Sequence, residues 1–282
     1  MKALVTGGAG FVGTNLIKRL LKDGYEVASL DNYSTGFREN QLADCTYITL
    51  NITEQFDNWV EKFDVIFHMA ALPRIGPSFE NPTEVVDVNV KGTANVLEYA
   101  RKTKTPVIYA GSSSFWGGVY KNPYTFSKWQ GEELCKMYEM IYGLNVAICR
   151  FYNVYGDFMP TEGEYRTVLS IFLEQYKNGE AITVTGDGEQ RRDFTHVDDI
   201  VDAMIKVVQL NKWGSVYELG RGENHSINEL AEMVYDGHNI TYIDSIPGEV
   251  RNTLCKSELA RKKLKWNPKI NVKEWLWEKL CK

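Results

Sequence analysis

The sequence predicts an α/β fold, a doubly wound parallel sheet with a smaller mixed α/β lobe. Three observations predict it. Residues 2–6 form a short apolar run that breaks at once into Gly7-Gly8-Ala9-Gly10-Phe11-Val12-Gly13. Phe11, Leu16, Leu20 and Leu21, with Val12 and Ile17 beside them, then recur at helical spacing up to Gly24, a natural stop. Residues 25–30 read as a second strand ending in Asp31, and strand-like and helix-like segments go on alternating to about residue 152.

Each part of the opening unit has a physical reason. Gly7 permits the tight turn, Gly10 lets the backbone approach a pyrophosphate, and Gly13 allows helix and strand to pack closely. The helix N-terminus presents unpaired N–H groups and partial positive charge to phosphates. Asp31 stands where a carboxylate accepts hydrogen bonds from both adenosine ribose hydroxyls. It would repel a 2′-phosphate, which favours NAD over NADP. A glycine triplet alone says little, but here a strand precedes it and a helix, a strand and an acid follow.

The second constellation is Tyr124 and Lys128, opening a helical stretch over about 122–142. Spacing of i, i+4 places both on one helix face. An ammonium beside a phenol favours the phenolate and lowers the tyrosine's pKa toward the working pH. Upstream, Val107-Ile108-Tyr109-Ala110 reads as a buried strand ending in Gly111-Ser112-Ser113-Ser114. Strand ends are where open α/β sheets present reactive groups.

Bulk properties narrow the function classes. A net charge of -5 over 282 residues leaves no basic footprint for nucleic acid. Cys45, Cys135, Cys149, Cys255 and Cys281 are scattered, and the four histidines are dispersed, so neither a disulfide framework nor a metal site is expected. No charged-then-apolar leader opens the chain, and no apolar run approaches the roughly 20 residues a membrane helix needs. The expectation is a soluble, cytoplasmic enzyme with no membrane or nucleic-acid partner.

The GxxGxxG spacing at the N-terminus, with Tyr124 and Lys128 downstream, resembles the extended short-chain dehydrogenase/reductase family. Its nucleotide-sugar epimerase/dehydratase branch is similar over nearly the whole chain, with UDP-glucose 4-epimerase-like members the nearest in pattern. The resemblance implies a Rossmann-type NAD domain over residues 1–152, with about 193–213 returning to it, and a nucleotide-sugar lobe from 153–192 and 214–282. It implies NAD contacts from Gly7, Gly10, Phe11, Val12 and Gly13, and from Asp31, Asn32, Ser34, Thr35 and Gly36 of the adenosine segment. It adds Asn51 and Ile52, then Met69, Ala70 and Ala71 of the fourth-strand motif, Asn89 of the following helix, and Phe151. Ser112, Tyr124 and Lys128 take the family's catalytic positions. Substrate contacts are implied for Ser112, Ser113, Tyr124, Asn153, Arg192, Glu249 and Thr253, with Asn153 and Arg192 at the diphosphate.

Related 4,6-dehydratases carry an acid pair after the catalytic serine, and UDP-glucuronate decarboxylases carry a glutamate. Ser113 and Ser114 here cannot do carboxylate chemistry. That favours C4 epimerisation of a nucleotide-activated hexose through a transient 4-keto sugar. Another nucleotide-sugar modification, a keto-sugar reduction and a non-catalytic nucleotide sensor are the competing readings.

Several positions depart from the pattern. Thr185 replaces the aromatic that sandwiches uracil, and Ile246 replaces an arginine for which Arg251 could compensate. Asn51 replaces an aspartate at adenine, and Pro73-Arg74 stands where a lysine sometimes follows the Ala-Ala motif. Thr253 leaves room for an N-acetyl group. Loops before Tyr124 and near 235–239 look trimmed. Helices about 83–103 and 122–142 are expected to pack against their copies in a homodimer. Local roles are expected for His68, His196, Trp275, Trp277 and the helix-opening pair Asp198-Asp199.

Overall fold

The computed structural model describes residues 1–54, 61–234, 239–245 and 248–280. In chain order β1 (Lys2–Thr6), α1 (Phe11–Lys22), β2 (Glu26–Asp31), β3 (Cys45–Thr49) and β4 (Val65–His68) come first. Three helices follow, α2 (Ile75–Glu80), α3 (Pro82–Val86) and α4 (Thr93–Thr103), then β5 (Val107–Ser112), α5 (Pro123–Tyr142) and β6 (Val146–Phe151). The chain continues through β7 (Val154–Tyr155), α6 (Val168–Asn178), β8 (Ile182–Thr185), β9 (Arg191–Asp193), β10 (Thr195–His196) and α7 (Val197–Gln209). It ends with β11 (Ser215–Leu219), β12 (Asn224–Ser226), α8 (Ile227–Val234), β13 (Ile240–Ile243), α9 (Leu259–Leu264) and α10 (Val272–Leu280).

Seven strands form one parallel sheet in the order β11-β6-β5-β4-β1-β2-β3. The order reverses between β1 and β4, which opens a crevice at the strands' C-terminal ends. α1 and α7 cover one face through Leu16, Ile17, Leu20, Ile200 and Met204. α4 and α5 cover the other through Val96, Leu97, Cys135 and Tyr138. Buried on both faces, β1 and β4 need continuous apolar runs, and ALV and VIF supply them. A third core, around Tyr155, Leu169, Phe172, Val184 and Leu230, belongs to the smaller lobe.

Two boundaries differ from expectation. The seventh sheet strand, β11, lies beyond residue 213, so the returning segment runs on to Leu219. The helix expected over 83–103 is interrupted by a widened π-helical turn at Asp87–Gly92. α5 matches its expected span because its ends are locally encoded. Asn122 Oδ1 accepts the Thr125 N–H at 2.7 Å, Pro123 opens the helix, and Gly143 closes it at φ 66°.

Cys45, Cys135, Cys149 and Cys255 are free and buried, while Cys281 and the residues 235–238 of the trimmed loop lie outside the described residues. Among the described residues no group of metal ligands forms and no helix is long and apolar enough to cross a membrane.

Candidate active site

A cavity of about 650 Å³ runs from the glycine turn, across the C-terminal ends of the sheet strands, into the lobe. Its shape at one end follows from glycines. A Cβ on Gly7, which sits at φ 72°, would lie 2.7 Å from the Ala70 nitrogen, and one on Gly13 would overlap the Gly7 carbonyl. Gly10 lines the cavity, so its missing side chain leaves the α1 N-terminus open to a phosphate. Asp31 is held by the turn it faces, one oxygen accepting from Ala9 N–H at 2.9 Å and the other from Tyr33 N–H at 2.8 Å. A carboxylate has lone pairs to spare for ribose hydroxyls. These residues fit a dinucleotide.

Phe11, Val12, Asn32, Ser34, Thr35, Asn51, Ile52, Met69, Ala70, Ala71 and Phe151 all line the same cavity. Gly36 and Asn89 do not. Gly36 packs on Ala9, where a Cβ would come within 3.0 Å. Asn89 is buried and bonded within the protein: its Oδ1 accepts from Leu72 N–H, and its Nδ2 donates to the Leu72 carbonyl and Ser127 Oγ. It clamps the cavity loop onto α5. The Asn51 amide oxygen accepts the Thr53 N–H at 3.1 Å.

The reactive centre lies where β5 ends against α5. Tyr124 Oη donates to Ser112 Oγ at 3.3 Å, and Ser112 Oγ donates to Ser114 Oγ at 2.9 Å. Lys128 Nζ lies 4.4 Å from the centre of the Tyr109 ring. Burial lowers its pKa to about 8, against the opposing pull of Glu132. Burial also raises the Tyr124 phenol, opposed by its hydrogen bond with Ser112 and by the charge of Arg74. Arg74 is thus a second cation that favours the phenolate, while the Lys128 head lies over the Tyr109 ring.

Behind the serine turn lies a buried ionic network. Arg150 pairs with Glu132 at 2.7 Å and Glu218 at 3.3 Å, and its guanidinium stacks 3.8 Å from the Phe115 ring centre. Glu218 also accepts from Trp116 Nε1 at 2.7 Å and Tyr152 Oη at 3.2 Å. One arginine thus ties β6 to α5, to β11 and to the turn that carries Ser112.

On the lobe side, Ser113, Asn153, Arg192, Glu249 and Thr253 all reach the cavity wall. Asn153 Nδ2 donates to the Asp193 carbonyl and to Thr253 Oγ1, both at 3.1 Å. Arg192, expected at the diphosphate, is paired with Glu249 at 2.8 Å. Thr185 lines the cavity and accepts from Gln190 Nε2 at 3.0 Å. Arg251, which could compensate for the missing arginine, is exposed and paired with Asp187 at 2.7 Å. Ile246 and Pro247 lie outside the described residues.

The bystander residues are local. His68 bridges Thr6 and Thr93 at 2.7 and 3.0 Å, and burial lowers its pKa to about 3, which keeps it neutral. His196 Nδ1 accepts from Asp198 N–H, and Asp199 accepts from the Lys269 and Ile270 N–H groups. Trp275 is packed, whereas Trp277 is 70% exposed and contributes little packing. Sequence reasoning noted Arg74 only as a departure from a family lysine and gave it no site role, and it missed Glu164, Tyr165 and Arg166 as cavity residues. Arg74 offered one signal, a lone charge in the apolar run Ala71-Leu72-Pro73-Arg74-Ile75.

Comparison with known proteins agrees with this geometry. Residues 3–220 match the family described as NAD dependent epimerase/dehydratase. A Methanocaldococcus jannaschii protein provisionally named a UDP-glucose 4-epimerase is 34% identical, over 96% of this chain and 94% of its own. A UDP-N-acetyl-α-D-glucosaminuronate decarboxylase from Bacillus cytotoxicus is 31% identical over 86% of this chain and 81% of its own. The UDP-glucose 4-epimerase of Thermus thermophilus, solved with NAD, superposes with a TM-score of 0.90 at 28% identity, covering 100% of this chain and 98% of that one. With its glycine turn, its Asp31 and its Ser-Tyr-Lys centre, the chain belongs to the NAD-dependent epimerase/dehydratase family and takes NAD as its cofactor.

Proposed function

We propose that the chain inverts C4 of a nucleotide-activated hexose, UDP-glucose or UDP-galactose or an N-acetyl or uronic acid analogue. The observation that carries this reading is the pair after Ser112. Dehydration and related eliminations need a carboxylate there, and Ser113 and Ser114 are hydroxyls, one of them bonded to Ser112 itself.

NAD, when bound, supplies the hydride acceptor and donor for oxidation and re-reduction at C4. Tyr124 Oη, as phenolate, takes the proton from the 4-hydroxyl and returns it when the ketone is reduced. Ser112 Oγ, 3.3 Å from Tyr124 Oη, holds the same oxygen. Arg74 supplies positive charge to the phenol, and Lys128, in the same cavity wall, holds the nicotinamide ribose. Asn153, Arg192, Glu249 and Thr253 hold the activated end of the substrate while the 4-keto ring turns over. Net redox is zero, so cofactor is retained through the cycle.

The test is incubation of the purified protein, without added cofactor, with UDP-glucose, UDP-GlcNAc, UDP-glucuronate and dTDP-glucose, each resolved by chromatography. A C4-inverted sugar at unchanged mass is expected; loss of water or carbon dioxide would replace this reading with dehydration or decarboxylation. Tyr124→Phe should lower turnover by at least ~100-fold with NAD still bound, and full activity in that variant would remove Tyr124 from the mechanism. We propose also that the protein is a homodimer through α5 and the helical stretch over about 83–103.

A further inference from the structure

We infer that Arg74 is a specificity-determining residue that reads an anionic group at C6 of the sugar, which makes the substrate class a nucleotide-activated uronic acid. The inference rests on the C4 chemistry proposed above. Arg74 has φ 86° and ψ 141°, a backbone region that residues with side chains rarely adopt. Glycine would sit there without strain, yet the position carries a long cation. Its Nε donates to the Tyr165 carbonyl at 3.2 Å, which fixes the guanidinium plane against the cavity wall.

That side chain is half-buried in the cavity wall, and its charge favours the ionised form of Tyr124. Among the described residues no carboxylate forms an ion pair with it, whereas Glu249 pairs with Arg192 in the same cavity at 2.8 Å. A half-buried guanidinium with a carbonyl but no carboxylate for a partner is one that an anionic ligand group would stabilise. The geometry says which part of the ligand that is. With the 4-hydroxyl at Tyr124, the ring carbons beside it are C3, bearing a hydroxyl, and C5, bearing C6. The diphosphate leaves C1, at the far side of the ring. A guanidinium in the cavity wall near Tyr124 is thus closer to the C3 and C5 substituents than to the diphosphate, and of these only C6 can carry a carboxylate, which accepts two parallel N–H bonds. A neutral hydroxymethyl group would leave the charge unmatched.

The experiment measures affinity, because the charge of Arg74 also bears on Tyr124 and turnover would mix the two effects. NAD-loaded protein is titrated calorimetrically with UDP, UDP-glucose and UDP-glucuronate, for the native chain, Arg74→Gly and Arg74→Lys. Glycine suits the backbone at this position, and an unchanged melting temperature checks the fold of each variant. The native chain should bind UDP-glucuronate at least ~10-fold tighter than UDP-glucose. Arg74→Gly should abolish that preference and Arg74→Lys should keep part of it, with UDP affinity within about threefold in both. Native binding of UDP-glucose equal to or tighter than that of UDP-glucuronate would overturn the inference. So would an Arg74→Gly loss equal for all three ligands, which would place the arginine at the diphosphate. Products separate this outcome from the C4 reading. Carbon dioxide release with an Arg74-dependent acid preference keeps the substrate class and removes epimerisation; inversion of neutral sugars without that preference does the reverse.

Discussion

Lys128 buries an ammonium, only 6% exposed, whose pKa burial brings to about 8. Its value in the unfolded chain is the ordinary 10.5, so between about 8 and 10.5 the unfolded state binds more protons. Stability therefore rises with pH through that window, and the full penalty applies below pH 8. The gap corresponds to at most about 3 kcal/mol. Lys128→Met should melt several degrees higher than the native protein at pH 7, with the gain shrinking toward pH 10, while turnover collapses. Thermal denaturation of the two proteins at pH 7 and pH 9.5 checks this, and a Lys128→Met that melts lower at pH 7 would refute it. Tyr124, Lys128 and Ser112 were legible in the sequence because each is marked by its neighbours: a one-turn spacing on a helix and the end of an apolar strand. The further cation that favours the phenolate was not, because Arg74 lies 50 positions before Tyr124 and meets it only through the fold.

At the scale of elements, the network around Arg150 is what joins α5, β6 and β11 to the serine turn. Glu132 and Glu218 are 1% and 8% exposed, so removing their cation strands two buried carboxylates. Arg150→Met should destabilise the protein by about 3–5 kcal/mol, read as a lower urea midpoint. Because Phe115 stacks on the guanidinium, the same variant should lower kcat more than it raises KM. A stability within about 1 kcal/mol of native would show that the network is dispensable. Strands and α5 were readable because apolar period, caps and turn glycines are local signals. The break at Asp87–Gly92 was not, since the widened turn carries Asn89 to contacts with Leu72 and Ser127 from other segments. The same contacts make Asn89 a clamp between the cavity loop and α5.

For the molecule as a whole, α5 ends in exposed apolar residues: Met140, Ile141 and Tyr142 are 85%, 66% and 52% accessible. This end of α5 offers apolar surface to a second copy. Sedimentation velocity should give twice the chain mass, and Met140→Glu with Ile141→Glu should shift it toward monomer with NAD still bound. A native chain that sediments as a monomer at micromolar concentration would end the proposal. The doubly wound parallel sheet followed from the alternation of apolar runs, but the place where the chain rejoins it did not. Ser215–Leu219 has mixed polarity, with Ser215 and Val216 only half-buried, so the strand shows itself through its pairing with β6.

That return path also governs how such proteins can be recombined. The chain quits the large sheet at Phe151, threads the lobe, and rejoins the sheet at Ser215 before leaving it again after Leu219. The lobe is thus no detachable cassette. A chimera joined once, after Phe151, would import a foreign edge strand and a foreign α7 against the native α1. Grafting another lobe requires two inserts whose junctions flank the returning segment, and Arg74, encoded upstream of both, would remain with the host.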